Sequence, residues 1–162
     1  MILEKSKRVS FKRPEAADVI VFDTLHLSLI KLVIPSDLSV GTFKTRPVEI
    51  NLSVKLLFYC LLNLKFFSLK DCLQSKRGFF YKTFWQLQMI YILSELQLRK
   101  PRALISNIDN SNKFAWLSKN FDKVQCIGIQ NGFRASSDVD SENAYYCNHL
   151  FCFGDREVLE FP

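Results

Sequence analysis

Ala103-Leu104-Ile105-Ser106, then Asn112 to Asn120, then Val124-Gln125-Cys126-Ile127-Gly128-Ile129 decide the fold of this 162-residue chain. The first and last runs are short and apolar, as strands buried on both faces of a parallel sheet are, and the middle run reads as a short helix. Together they form a β-α-β unit. Parallel neighbours need a crossover connection, almost always right-handed, so the pattern predicts an α/β protein: a Rossmann-like parallel sheet with helices on both faces.

Outward from that unit, Asp18-Val19-Ile20-Val21-Phe22-Asp23 reads as another buried parallel strand. Thr24 to Val33 is expected as a helix or amphipathic turn, stopped at Ile34-Pro35-Ser36-Asp37. Ser39 to Lys44 is a weaker strand. A long helical stretch is expected from about Asn51, its N-cap, with Leu52, Leu56, Tyr59, Cys60, Phe66 and Phe67 on one apolar face that Asn63 interrupts. A second helix spans Phe79 to Leu98, with Phe80, Phe84, Leu87, Tyr91 and Leu98 as its core stripe, and Lys100-Pro101 closes it. Between them Lys76-Arg77 is a solvated turn. Towards the C-terminus His149 to Phe153 reads as a strand and Gly154-Asp155-Arg156-Glu157 as the start of a helix that is cut short at Phe161-Pro162, so a piece of a longer protein is expected. The expected organisation is a basic leader over 1–17 and a Rossmann-like domain over 18–162.

The 48% hydrophobic content supports a packed core rather than a disordered chain. Charge is unevenly placed: residues 65–102 carry eight basic and two acidic side chains, and 103–162 five and eight, which suits an anionic partner on one side only. Cys60, Cys72, Cys126, Cys147 and Cys152 form no CxxC pair or zinc-ligand spacing and are read as buried thiols. The N-terminus has basic residues without an apolar run behind them, so it is not a signal peptide. The most apolar stretch, Leu52 to Leu69, is interrupted by Lys55, Asn63 and Lys65, which argues for a buried or interfacial helix over a membrane span.

In open α/β sheets, ligands bind beyond the carboxyl ends of the strands. Those positions are polar here: Asp23 after the first long strand; Asn107, Asp109, Asn110 and Ser111 after 103–106; Gln130, Asn131, Gly132 and Arg134 after 124–129; Asp155, Arg156 and Glu157 after the last. Gly132 permits close backbone approach to a ligand, and Arg134 is able to pair with phosphate or carboxylate. Each has a plainer reading: Asn131-Gly132 is a turn signal, Asp109 to Asn112 a helix cap, and Asp155 to Glu157 a solvated first turn. His26 and His149 lack metal-ligand spacing, and no metal site is expected. The chain has no GxGxxG, Walker, GxSxG or HExxH motif, which disfavours classical dinucleotide binding and P-loop, α/β-hydrolase or zincin chemistry.

The segments Lys100 to Ser111, Ile127-Gly128-Ile129-Gln130-Asn131-Gly132 and Leu150-Phe151-Cys152-Phe153-Gly154-Asp155-Arg156-Glu157 together resemble the surface carbohydrate biosynthesis proteins, which are GT-B-type glycosyltransferases. They are similar, more distantly, to capsule and teichoic-acid transferases. The resemblance implies two Rossmann-like domains across a cleft, the first for the acceptor, the second for a nucleotide-sugar, with this chain as the first. It implies an enzyme that needs no cofactor beyond a CMP- or CDP-linked sugar as co-substrate and acts on a glycan or lipid-linked acceptor; the odd cysteine count and the basic region 65–102 add the expectation of a cytoplasmic location, peripheral on the inner face of the membrane. The teichoic-acid relatives carry a His before the turn glycine; here Asn131 stands there, and an amide cannot take a proton at neutral pH, so under this resemblance Asp109 or Asp23 is the candidate general base, with Gln130, Asn131 and Arg134 positioning the acceptor or the donor phosphates.

Residues 65–102, with Phe66, Phe67, Phe79, Phe80, Tyr81 and Trp85 interleaved among cations, read either as a surface for an anionic membrane or as a basic solvent face on a core helix pair. Two rival functions remain open at this point. One is a non-catalytic interaction domain or degenerate transferase remnant; the other is a single-stranded nucleic-acid module, disfavoured by the acidic and amide-rich strand ends.

Overall fold

A computed structural model describes residues 8–22, 27–43, 49–107, 111–130 and 147–151. The chain divides into two units. One takes residues 17–46 and 101–162; the other takes 1–16 and 47–100, and its longer piece lies in sequence within the first unit.

The first unit is built on β2 (Val19–Phe22), α1 (Leu27–Val33), β3 (Val40–Phe43), β5 (Ala103–Ser106), α5 (Asn112–Asn120), β6 (Gln125–Ile129) and β7 (His149–Phe151). Its five strands are all parallel, in the order β3-β2-β5-β6-β7. Counted within the unit this is 2-1-3-4-5, a doubly wound order whose reversal falls between β2 and β5.

Alternation along the strands separates two faces. Val19, Val21 and Ile105 pack with Ile30 of α1, and Ile127 and Ile129 join them. The opposite face carries Ile20, Phe22, Leu104 and Cys126, all fully buried, and Phe114 of α5 reaches Phe22 at 6.0 Å between ring centres. Helices therefore cover both faces, as the β-α-β pattern predicts. At the amino ends of the strands, Asp18 and Ser39 bond reciprocally: the Asp18 carboxylate accepts from the Ser39 N–H (3.0 Å) and hydroxyl (2.6 Å), and Ser39 Oγ accepts from the Asp18 N–H (2.9 Å). The Ser39 bonds, aided by Arg102, hold the Asp18 carboxyl below its ordinary range.

The second unit holds β1 (Arg8–Ser10), β4 (Glu49–Asn51), α2 (Val54–Asn63), a 3₁₀ turn (Leu64–Phe66), α3 (Leu69–Leu73) and α4 (Phe79–Arg99). Part of the basic leader is thus β1, paired parallel with β4. The helix N-cap is Ser53 rather than Asn51; Asn51 ends β4, and its side-chain oxygen accepts from the Ser53 N–H at 2.9 Å. Tyr91 of α4 fixes the same residue, accepting from the Asn51 N–H (2.8 Å) and donating to its carbonyl (3.2 Å). Gln86 holds the segment before α3, accepting from the Ser68 N–H and donating to the Ser68 carbonyl. The polar interruption at Asn63 is an interhelical lock: its buried Nδ2 donates to Ser94 Oγ (2.9 Å) and Gln97 Oε1 (2.8 Å), and Ser94 donates on to the Ile90 carbonyl.

The stripe expected to be core on α4 is largely a surface stripe. Phe80 is 86% exposed and Phe84 70%, whereas Met89, Ile90, Leu93 and Leu96 are buried. The helix is apolar around most of its circumference, so period alone does not select the inward face. Gly78, at φ +92°, starts α4 in a conformation that side chains other than glycine's rarely adopt. Lys100, at φ 52°, ends it in the left-handed region before Pro101. Among the described residues, no helix is long and apolar enough to cross a membrane.

Candidate functional site

The carboxyl ends of β2, β5 and β6 lie along one edge of the sheet, because the register pairs Phe22 with Ser106 and Ser106 with Gly128. The base of that edge is dry and aromatic on the β2–β3 side: Phe22 and Phe43 stack at 5.9 Å with their planes 8° apart. On the β5–β6 side it is polar. Ser106 is fully buried, Asn107 is 3% exposed and Gln130 4% exposed. Gln130 is also anchored through its backbone, whose N–H donates to the Phe151 carbonyl at 2.9 Å.

Asn107 stands apart from every other amide described. Both its side-chain oxygen and its nitrogen are buried, and neither has a hydrogen-bond partner among the described residues. A carboxamide offers two donors and two acceptor lone pairs, and a buried polar atom left unpaired costs about 1–3 kcal/mol. Such a group is uncommon away from functional sites and tight packing defects. Its place beside the strand-order reversal is where doubly wound sheets take their ligands.

Ser111 has the capping role that its sequence suggests: it precedes α5, and its hydroxyl accepts from the Phe114 N–H at 3.4 Å. The structure therefore brings Asn107 and Gln130 to one edge and leaves Ser111 as a cap. The candidates Asp23, Asp109, Asn110, Asn131, Gly132, Arg134, Asp155, Arg156 and Glu157 lie outside the described residues, as does His26. His149 opens β7 and is exposed. Ser106 was not among the candidates; its signal was available, since it is the polar last residue of an apolar strand. Among the described residues, no cluster of three or more His, Cys, Asp or Glu side chains could hold a metal. Burial pushes the Cys60 and Cys126 thiols above their ordinary values, away from the reactive thiolate.

A separate open cleft of about 460 Å³ belongs to the second unit. Its cations are Arg13, Lys55 and Lys100, and its apolar wall is Val54, Phe58, Tyr59 and Leu98. Sequence reading missed it because its lining comes from the leader, the first turns of α2 and the end of α4.

Sheet order and strand-end polarity define the class: a doubly wound α/β unit with buried polar side chains at the carboxyl ends of β5 and β6. No protein-family model, curated protein or solved structure matches the chain.

Proposed function

We propose that this chain is the acceptor-side, N-terminal part of a GT-B-type glycosyltransferase that builds surface polysaccharide. The observation that carries the reading is Asn107, a buried carboxamide with both polar atoms unpaired at the switch-point edge of a parallel sheet. Sugars present dense hydroxyl groups that donate and accept at once, and an amide answers both with one side chain. Asn107 and Gln130 orient the acceptor. Asp109, or Asp23, takes the proton from its attacking hydroxyl as the oxygen bonds to the anomeric carbon. The bond from that carbon to the donor phosphate breaks with its electrons leaving on the phosphate, and Arg134 balances the charge. A CMP- or CDP-linked sugar is the donor.

Transfer by the full-length protein tests this, with radiolabelled nucleotide-sugars as donors and Asp109→Ala as the variant. The expected result is loss of transfer with an unchanged circular-dichroism spectrum. Retained activity removes Asp109 from the mechanism. A folded protein that transfers nothing and binds no nucleotide-sugar is the non-catalytic interaction domain instead.

A further inference from the structure

The outer side of α2 is apolar at helical spacing: Val54, Leu57, Phe58, Leu61 and Leu62 are all exposed, Val54 at 83%. Its inner side, with Leu56 and Asn63 buried, packs on α4. The helix therefore carries two apolar stripes and only one is used within the unit. Leu69 and Leu73 of α3 are exposed one turn apart, and Phe80, Phe84 and Leu87 repeat the pattern on the first turns of α4. Exposed apolar surface on this scale marks an interaction site.

Charge selects the occupant. Between residues 54 and 87 the cations are Lys55, Lys65, Lys70, Lys76, Arg77 and Lys82, against the single acid Asp71. Several lie alongside rings: Lys65 is 5.0 Å from the centre of Phe66, and Lys82 4.7 Å from Trp85. Val54 and Phe58 also wall the cleft that holds Arg13, Lys55 and Lys100, and none of these three cations pairs with a carboxylate among the described residues. The apolar stripe thus runs into a recess that sets three cations beside an apolar wall, the chemistry of a phosphate with a greasy attachment.

We infer that this face docks the protein on an anionic phospholipid bilayer, with the outer side of α2 and the start of α4 in the headgroup and upper acyl region, and phosphates held by the surrounding cations. A second copy of the chain is the poorer occupant, because it would set six cations against six. A nucleic acid would use the cations and leave the leucines and Val54 in water. The inference is independent of the strand-end reading, since it uses residues of the other unit only.

The test is co-sedimentation of the protein with vesicles of equal parts phosphatidylcholine and phosphatidylglycerol, beside vesicles of phosphatidylcholine alone. Two variants accompany it: Leu61→Asn with Phe84→Asn, and Arg13→Glu with Lys55→Glu. All four positions are exposed, so folding is retained and is checked by circular dichroism. The expected result is binding to the anionic vesicles at least about tenfold tighter than to neutral ones, weakened by salt. The apolar variant binds about tenfold more weakly, and each neutralised or reversed cation costs about fivefold or more. Wild-type protein that stays in solution overturns the inference, as do variants that sediment like wild type. So do self-association that Leu61→Asn with Phe84→Asn abolishes without any vesicle binding, and capture by a single-stranded oligonucleotide in place of vesicles.

Discussion

Asn63 and Asn107 are the same residue type, each 3% exposed, and should respond in opposite directions to the same substitution. Asn63 makes both of its described bonds, at 2.9 and 2.8 Å. A leucine there fills the volume but loses two buried hydrogen bonds at about 1 kcal/mol each, so Asn63→Leu should cost about 2 kcal/mol. Asn107 has two buried side-chain atoms with no partner among the described residues. Replacing it by leucine of similar shape removes both desolvated groups and adds apolar burial, so Asn107→Leu should stabilise its unit by about 2 kcal/mol. The assay is urea unfolding read by tryptophan fluorescence, because the two tryptophans fall one in each unit: Trp85 in α4, the helix to which Asn63 is locked, and Trp116 in α5. Trp116→Phe and Trp85→Phe backgrounds isolate each signal, and 2 kcal/mol moves a urea midpoint by about 1 M for a typical slope. An Asn107→Leu protein destabilised by about 1 kcal/mol or more would refute the reasoning, because it would give the amide a structural role.

Further outcomes follow from other contacts. Burial, with nearby Glu95 adding to it and the Asn51 bond working against it, pushes the Tyr91 hydroxyl up to about 12. Its contribution is complete below the unfolded value of about 10 and is lost as pH rises through 12, so alkaline unfolding should begin above about pH 10 and lose that component in Tyr91→Phe. The Asp18 carboxyl, lowered by its Ser39 bonds, contributes stability above about pH 4 that disappears as pH falls through its folded value. Asp18→Asn should therefore flatten the acid limb of a thermal-melt series. A Cβ on Gly128 would lie 3.0 Å from Leu150 Cδ1 and 3.3 Å from Cys147 Sγ. Gly128→Val should cost about 1–3 kcal/mol by overpacking and speed hydrogen exchange at the Asn148 amide, which donates to Cys126.

The parallel sheet was legible because its strands are short apolar runs separated by polar ends, and α5 because Ser111 and Asn112 open it before Phe114 and Leu117. The long helices were legible as helices and opaque as surfaces. In α2 and α4, apolar residues occupy both the packed and the exposed sides, so a period of three or four residues fits Phe80-Phe84-Leu87 as well as it fits Met89-Leu93-Leu96. The parallel pairing of Arg8–Ser10 with Glu49–Asn51 was not legible, since two three-residue strands separated by about forty residues leave no local pattern. At the candidate site, strand-end logic led to Asn107 and Gln130 without indicating which of the two lacks partners, because satisfaction depends on tertiary neighbours.

The most direct test of the account is calorimetric titration of the full-length protein with CMP- and CDP-linked sugars and with glycan acceptors, in wild-type and Asn107→Leu forms. The account predicts binding by the wild type and affinity at least about tenfold weaker in a variant that is folded and more stable, the loss expected for one or two buried hydrogen bonds to ligand. Equal affinity in both forms, or no heat from a folded wild type with any of these ligands, would contradict it.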